Sequence, residues 1–446
     1  MTDLDKEFLK TGIVFPSLLL PKSDIDYKKW SIIACDQFTS EGEYWKNVKD
    51  YVGKSPSSLS LVLPEHYLKK DNASAINSIN TAMNNYIRDG IFENYDSSCV
   101  FVKRTLSNGL IRHGLVLAID LEKYSFNENS FSLIRPTEGT IIERIPPRLM
   151  IRKNAVLELS HIVLFVNDDS NELFNLLAKK ERDLKKIYSF PLMLNGGNID
   201  GFLINNNNDL DDLKKAFVKL YNDAASDKNA NKLFLAVGDG NHSLACAKTH
   251  WENVKKTLSD KECVMHPARY CLVEIENIHD NAIQFEPIHR VIFSFSKKDF
   301  DNTLMGIAKD VKITKQPTLM TCIDKINKKG SNCSFAVFVN NSFFVYEISA
   351  KNELSTSAKI IEQLIDNLPS VSTGASIDYI HGAQNTVDVS LSYKNDIGNI
   401  AIIMPDINKD DFFLSILNNG AFPRKTFSIG KNIDKRYYIE AKKIVL

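Results

Sequence analysis

Residues 232–244 read KLFLAVGDGNHSL, and the rest of the chain is best understood outward from them. The apolar run Lys232–Val237 predicts a short buried strand, and the glycine-rich turn Gly238–His242 follows it directly. A helix is predicted after the turn, because apolar residues then recur at three- and four-residue steps: Leu244, Ala247, Trp251, Val254 and Leu258. The segment is therefore a predicted strand–turn–helix unit.

The backbone of Gly238–Ser243 is a candidate anion cradle. The first N–H groups of a helix lack partners within the helix, and the positive end of the helix dipole lies there. Gly238 and Gly240 permit unusual dihedral angles and a close approach of a ligand to the backbone. Asn241 or Ser243 is expected to cap the first turn. These features favour a phosphate or a carboxylate at the turn.

Two side chains of the turn add chemistry to this cradle. Asp239 would repel a phosphate unless it holds a metal such as Mg²⁺ or takes up a proton, and both roles suit phosphoryl transfer. His242 could donate to a phosphate oxygen or relay a proton. A tight structural connection would use the same residues, since Asp-Gly and Gly-Asn are common turn pairs.

Composition excludes several classes of protein. The chain has 55 lysine and arginine residues and 55 aspartate and glutamate residues. It therefore lacks the excess of positive charge with which nucleic-acid-binding proteins commonly neutralise phosphates. No signal pattern or membrane-spanning apolar stretch occurs in the 446 residues, and the seven cysteines follow no metal-site spacing. We expect a cytoplasmic protein that acts on a small-molecule or phosphorylated ligand, without a nucleic-acid or membrane partner.

The order of predicted elements indicates an α+β fold in two domains. Residues 1–260 mix helices and strands around the glycine turn, whereas residues 261–446 are richer in strands. Trp30–Cys35 (WSIIAC) reads as a buried strand and Ser170–Ile187 as a helix. We expect the domain of residues 261–446 to pack against the first.

Further candidates for the site lie far from the turn in sequence. Asp36 follows the WSIIAC run, where a strand end commonly carries a catalytic group, although a turn or capping aspartate is the commoner case. The pair His289–Arg290 could clamp an anion through the guanidinium, or could form a salt bridge. Arg424 and Lys425 follow a predicted helix end, where cations also complement the helix dipole.

Several motifs in order resemble the bacterial and archaeal domain-of-unknown-function 1015 family. They are the glycine turn, Pro287–Arg290, Ile377–Gly382 (IDYIHG) and Gly420–Phe427 (GAFPRKTF), together with an acidic-x-Thr element at Glu138–Thr140. That family's turn usually reads Asp-Gly-His-His-Arg and is similar to the phosphate-contacting turn of the ParB and sulfiredoxin superfamily, which includes free-serine kinases.

The resemblance implies a ParB/sulfiredoxin-like N-terminal portion that binds a nucleotide or phosphate. Asp239, Gly240 and His242 match the family turn, whereas Asn241 replaces its first histidine and Ser243 its arginine. The first functional hypothesis is a phosphotransferase that uses a nucleoside phosphate with Mg²⁺ on a small hydroxyl metabolite. Its catalytic residues would be Asp36, Asp239 and His242. The alternative is a ligand-sensing or scaffold protein without catalysis, which the loss of the arginine favours.

Overall fold

The computed structural model describes residues 2–68, 71–127, 130–227, 229–328, 333–349, 354–372, 374–393 and 396–446. The chain folds into two compact units. The first unit comprises the chain up to Ile283 together with the C-terminal segment Lys431–Leu446, and the second unit comprises Gln284–Gly430.

A large mixed sheet forms the centre of the first unit. The turn strand, Leu235–Asp239, pairs in parallel with Ile134–Pro136 and antiparallel with Val163–Val166. The short strand Ile13–Val14 pairs with Ile111–Asp120 beside the main order. Among the described residues the main order runs Ile134–Pro136, Leu235–Asp239, Val163–Val166, Tyr270–Asn277, Ile111–Asp120, Cys99–Thr105, Asn198–Ile204 and Lys185–Pro191.

A smaller antiparallel sheet joins the two ends of the chain. Its strands run in the order Phe92–Tyr95, Leu18–Pro21, Ala441–Lys443 and Leu157–Leu159. The C-terminal strand thus lies between two segments from the first 160 residues, which fixes Lys431–Leu446 within the first unit.

Amphipathic helices cover the sheets of the first unit. They carry buried apolar faces, such as Ile76, Ile79 and Met83 on one helix and Leu210, Leu213 and Phe217 on another. The α-helices are Asp3–Thr11, Tyr27–Trp30, Gly42–Val52, Ala73–Arg88, Ile145–Arg152, Glu172–Lys180, Asn207–Asp223, Asn241–Val254 and Asp260–Met265.

The second unit has its own sheet and core. In the described residues the strand order is Val311–Gln316, Ser342–Ile348, Cys333–Val339, Asn399–Ile403, Phe285–Phe293 and Ser376–His381, with Phe427–Ile429 paired to Phe285–Phe293. Its helices are Lys297–Ile307, Leu319–Ile326, Leu354–Val371, Ala383–Ser392 and Lys409–Asn419. A separate buried apolar cluster fills this unit, with Phe300, Phe335 and Tyr346 among its largest members.

The α+β class predicted from the sequence is confirmed, and three details differ. The unit boundary falls after Ile283 and not after residue 260, because Tyr270–Asn277 pairs inside the first sheet. The predicted strand Trp30–Cys35 does not form: Trp30 ends the helix Tyr27–Trp30, and residues 31–34 are buried outside any ladder, with Ile33 in one isolated bridge to Tyr437. The predicted helix Ser170–Ile187 ends at Lys180, and its last residues begin the strand Lys185–Pro191.

Candidate functional site

The turn between Leu235–Asp239 and the turn helix, Asn241–Val254, is shaped by its glycines. Gly240 caps the helix with a φ of 80°, a conformation that favours glycine. A Cβ atom at Gly238 would lie 2.6 Å from the Phe165 ring, so this position has no room for a side chain. The prediction that Asn241 or Ser243 caps the helix is wrong: Gly240 occupies the cap position without a side-chain cap hydrogen bond.

Asp239 is held by its own turn and by a lysine from the C-terminal segment. The Gly240 amide donates to Asp239 Oδ1 over 2.9 Å. Lys435 Nζ lies 3.1 Å from Asp239 Oδ2, and both side chains are mostly buried. The lysine neutralises the carboxylate that would otherwise repel an anion at the turn, and it places a cation beside the cradle.

The segment that contains Glu138–Thr140 crosses the turn. Asn241 Nδ2 donates to the Glu138 carbonyl (3.3 Å), and the Ile141 amide donates to His242 Nε2 (3.2 Å). Because Nε2 accepts that hydrogen bond, a neutral His242 carries its proton on Nδ1. The acidic-x-Thr element and the residue after it therefore contact the turn directly.

Two polar atoms at this crossing are buried and have no hydrogen-bond partner among the described residues: Thr140 Oγ1 and Asn241 Oδ1. Thr140 is only 9% exposed. Leaving a buried polar atom unpaired costs about 1–3 kcal/mol, so such atoms call for a partner outside the protein.

Ser243 belongs to a second polar cluster, centred on His161. Ser243 Oγ lies 3.2 Å from His161 Nε2, and Asp36 Oδ2 lies 3.6 Å from the same nitrogen. The Tyr438 hydroxyl is 2.7 Å from His161 Nδ1 and also accepts a hydrogen bond from the Cys35 amide. The cluster brings together residues 36, 161, 243 and 438, which no local sequence pattern connects.

The electrostatics of this cluster set Asp36 apart from Cys35. Burial alone would raise the pKa of the Asp36 carboxyl. The electrostatic interaction with the nearby His161 ring, a hydrogen bond from Gln37 and the charge of Lys435 outweigh it and hold that pKa below its usual value. Asp36 is thus a carboxylate at neutral pH. Burial raises the pKa of the Cys35 thiol to about 12, which rules it out as a thiolate nucleophile.

The other predicted ligand residues lie in the second unit. His289 is buried and accepts a hydrogen bond from the Met404 amide at Nδ1 (3.1 Å). The Arg290 side chain is fully buried and donates to the Ile288 carbonyl. Its guanidinium lies 5.6 Å from the Tyr379 ring centre, and Lys425 Nζ lies 4.1 Å from the same centre. A role for these residues and for Arg424 in ligand binding remains a prediction.

Sequence reasoning missed His161, Lys435 and Tyr438. A histidine within the apolar run Ser160–Val166 was the one available signal, because a polar residue in a buried strand needs a partner. Lys435 and Tyr438 gave no signal, since more than 190 residues separate them from the turn.

No described residues form a group of three or more His, Cys, Asp or Glu side chains arranged to hold a metal ion. Among the described residues, none of the helices has the length and apolar character needed to span a membrane.

Comparison with known proteins identifies one family model, described as a protein of unknown function (DUF1015), which matches residues 19–371. This range contains Asp36, the glycine turn and Pro287–Arg290, and it confirms the family resemblance drawn from the motifs. Ile377–Gly382 and Gly420–Phe427 lie beyond it. A search of curated proteins gives no match.

Several solved structures are similar to this chain at a low level. A free serine kinase in complex with AMP has a TM-score of 0.37 and 8% identity, over 74% of this chain and 92% of that chain. A conserved hypothetical protein from Pyrococcus furiosus has a TM-score of 0.36 and 9% identity, over 74% and 95%. SbnI from Staphylococcus aureus, truncated at its C-terminus, has a TM-score of 0.26 and 11% identity, over 62% and 82%.

Proposed function

This chain belongs to the DUF1015 family, and we propose that it binds a phosphorylated ligand, of the nucleoside phosphate class, at Gly238–Ser243. The observation that carries the proposal is the pair of buried, unpartnered atoms at the turn, Thr140 Oγ1 and Asn241 Oδ1. A hydroxyl that donates to a phosphate oxygen and an amide oxygen that accepts from a ligand hydroxyl would both be satisfied by such a ligand.

Charge at the turn supports the same ligand. The N–H groups of the first turn of Asn241–Val254 and the helix dipole favour an anion. Lys435 supplies a cation in place of the arginine that the family carries at the position of Ser243. Mg²⁺ would arrive with the phosphates, because this ion is commonly bound through one or two carboxylates plus substrate oxygens. Asp239 is the carboxylate at the turn that would hold it.

Catalysis is the second part of the proposal. Asp36 and His161 form a carboxylate–imidazole pair on the Ser243 side of the turn, and His242 carries a proton on Nδ1. A general base and a proton donor beside a phosphate cradle suit transfer of a phosphoryl group to a hydroxyl. The competing function is a non-catalytic sensor, which the replacement of the family's arginine by Ser243 favours.

A thermal-shift experiment with ADP, AMP and inorganic phosphate tests the binding proposal. We expect ADP to raise the melting temperature, since a ligand at about 100 times its Kd stabilises a protein by about 2.7 kcal/mol. Thr140→Val should raise the Kd for ADP about tenfold, because one hydrogen bond to a charged oxygen is lost. Thr249→Val is the matched control, since its hydroxyl bonds only within the turn helix, to the Ala245 carbonyl.

The melting shifts test binding at the turn, and ATP consumption distinguishes a phosphotransferase from a sensor. Absence of any shift with all three ligands would reject the proposed site. A shift in which Thr140→Val and Thr249→Val behave alike would move binding away from the turn. Consumption of ATP in the presence of Mg²⁺ distinguishes a phosphotransferase from a sensor, which would bind nucleotide without turnover.

A further inference from the structure

A cavity of about 150 Å³ adjoins the site through Ser243 and His161. Most of its surface is apolar, with Leu61, Met83 and Leu157 among the lining residues. An apolar cavity of this size holds a ligand of about six non-hydrogen atoms, the size of benzene. The cavity therefore fits a small apolar group.

The charged residues that line the cavity pair with one another. Arg148 forms an ion pair with Glu65, and Arg152 forms one with Glu158. Two cations thus face two carboxylates, and the wall has no excess of either charge. A zwitterionic or ionic ligand would have to break these pairs to find counter-charges, so the cavity favours a neutral ligand.

Ser243, His161 and Tyr438 form a hydrogen-bonded group in the cavity wall. A neutral group that both donates to His161 Nε2 and accepts from the Ser243 hydroxyl fits beside them, and an alcohol does both. Asp36 lies 3.6 Å from Nε2 and would stabilise an imidazolium formed there.

We propose that this cavity binds the acceptor substrate, a neutral alcohol of about six non-hydrogen atoms with a branched or cyclic apolar body, and that His161 is its general base. This inference rests on the proposed function. The alcohol O–H proton passes to His161 Nε2 while the alcohol oxygen forms a bond to the terminal phosphorus of a nucleoside triphosphate. The bond to the leaving nucleoside diphosphate breaks, and the products are an alkyl phosphate and the diphosphate. His161 starts with its proton on Nδ1, donated to the Tyr438 oxygen.

The experiment uses the full chain with ATP, Mg²⁺ and either 3-methylbutan-1-ol or L-serine, a zwitterionic alcohol of similar size. Formation of each phosphate ester is followed by phosphorus NMR. We expect kcat/KM for 3-methylbutan-1-ol to exceed that for L-serine at least tenfold. A preference for L-serine would overturn the assignment.

Two variants test whether the alcohol binds in this cavity and whether His161 is its general base. Ala155→Leu adds bulk to the cavity wall and should raise KM for the alcohol about tenfold while leaving the ADP-induced melting shift unchanged. Ala73→Leu, at an exposed helix start, is its control. His161→Gln should lower kcat about 100-fold with little change in KM, as loss of a general base does. An unchanged KM in Ala155→Leu, or an unchanged kcat in His161→Gln, would contradict the proposal.

Binding of 3-methylbutan-1-ol without nucleotide is measured by saturation-transfer NMR. This measurement distinguishes failure of the cavity assignment from failure of the proposed function. If ADP binds but the alcohol does not, the cavity assignment fails and the proposed function stands. If the alcohol binds to the wild type and not to Ala155→Leu while no nucleotide binds, the cavity is a ligand site but its acceptor role is overturned.

Discussion

At the scale of single residues, the conformation of the glycine turn depends on the lack of space around Gly238 as much as on the dihedral angle of Gly240. Gly240 has a positive φ, whereas Gly238 is required because the Phe165 ring occupies the volume of its missing side chain. The two glycines thus serve different purposes within one motif. The sequence identified the turn, but only the neighbouring strand explains why residue 238 is a glycine.

Gly238→Ala should therefore destabilise the first unit by about 1–3 kcal/mol, the usual cost of overpacking a filled core. Gly306→Ala is the matched control. Gly306 lies inside the helix Lys297–Ile307 with nothing near its missing Cβ, so alanine there should stabilise by about 0.5–1 kcal/mol. Urea unfolding measures both. Equal effects of the two substitutions would show that the Phe165 contact is unimportant.

At the scale of elements, strand Phe285–Phe293 shows how burial changes the acid–base behaviour of a side chain. His289 and Arg290, the predicted anion clamp, are both buried in the sheet of the second unit. Burial, with the neighbouring charges of Arg290 and His381, lowers the pKa of His289 to about 4. The Met404 amide donates to its Nδ1, which also favours the neutral ring.

The lowered pKa of His289 makes the free energy of unfolding depend on pH. Between pH 6.5 and 4 an unfolded histidine binds a proton that folded His289 does not, so the free energy of unfolding falls as the pH falls through this range. The loss attributable to His289 is about 3 kcal/mol. His289→Gln should remove it, measured as the difference between wild-type and variant urea unfolding at pH 7 and pH 4. Parallel curves for the two proteins would contradict the prediction.

At the scale of the whole molecule, the C-terminal segment Lys431–Leu446 completes the first unit. Arg436 forms ion pairs with Glu274 and Glu440 in the interior, and the Trp30 indole donates to the Ile439 carbonyl (3.0 Å). The same segment carries Lys435 and Tyr438 into the candidate site. The first unit is therefore built from two separate stretches of the chain.

A chain that ends at Gly430 should lose the cooperative unfolding of its first unit, because removal of Arg436 leaves Glu274 buried and unpaired, at a cost of about 3–5 kcal/mol. The fragment Gln284–Gly430 should still unfold cooperatively, since it has its own sheet and core. Circular dichroism melting of both fragments tests this. A cooperative first-unit transition in the truncated chain would disprove the role of the C-terminal segment.

The sequence alone determined the local features: the strand–turn–helix at Leu235–Val254, the α+β class and the candidate anion cradle at Gly238–Ser243. Apolar periodicity and glycine turns are encoded within a few neighbouring residues, so they can be read without a fold. Only the tertiary structure decided that Lys435 neutralises Asp239, that His161 joins Asp36 to Ser243, and that Thr140 lies unpartnered at the turn. Those contacts depend on strand order and register, which result from the packing of the whole sheet and not from any local pattern.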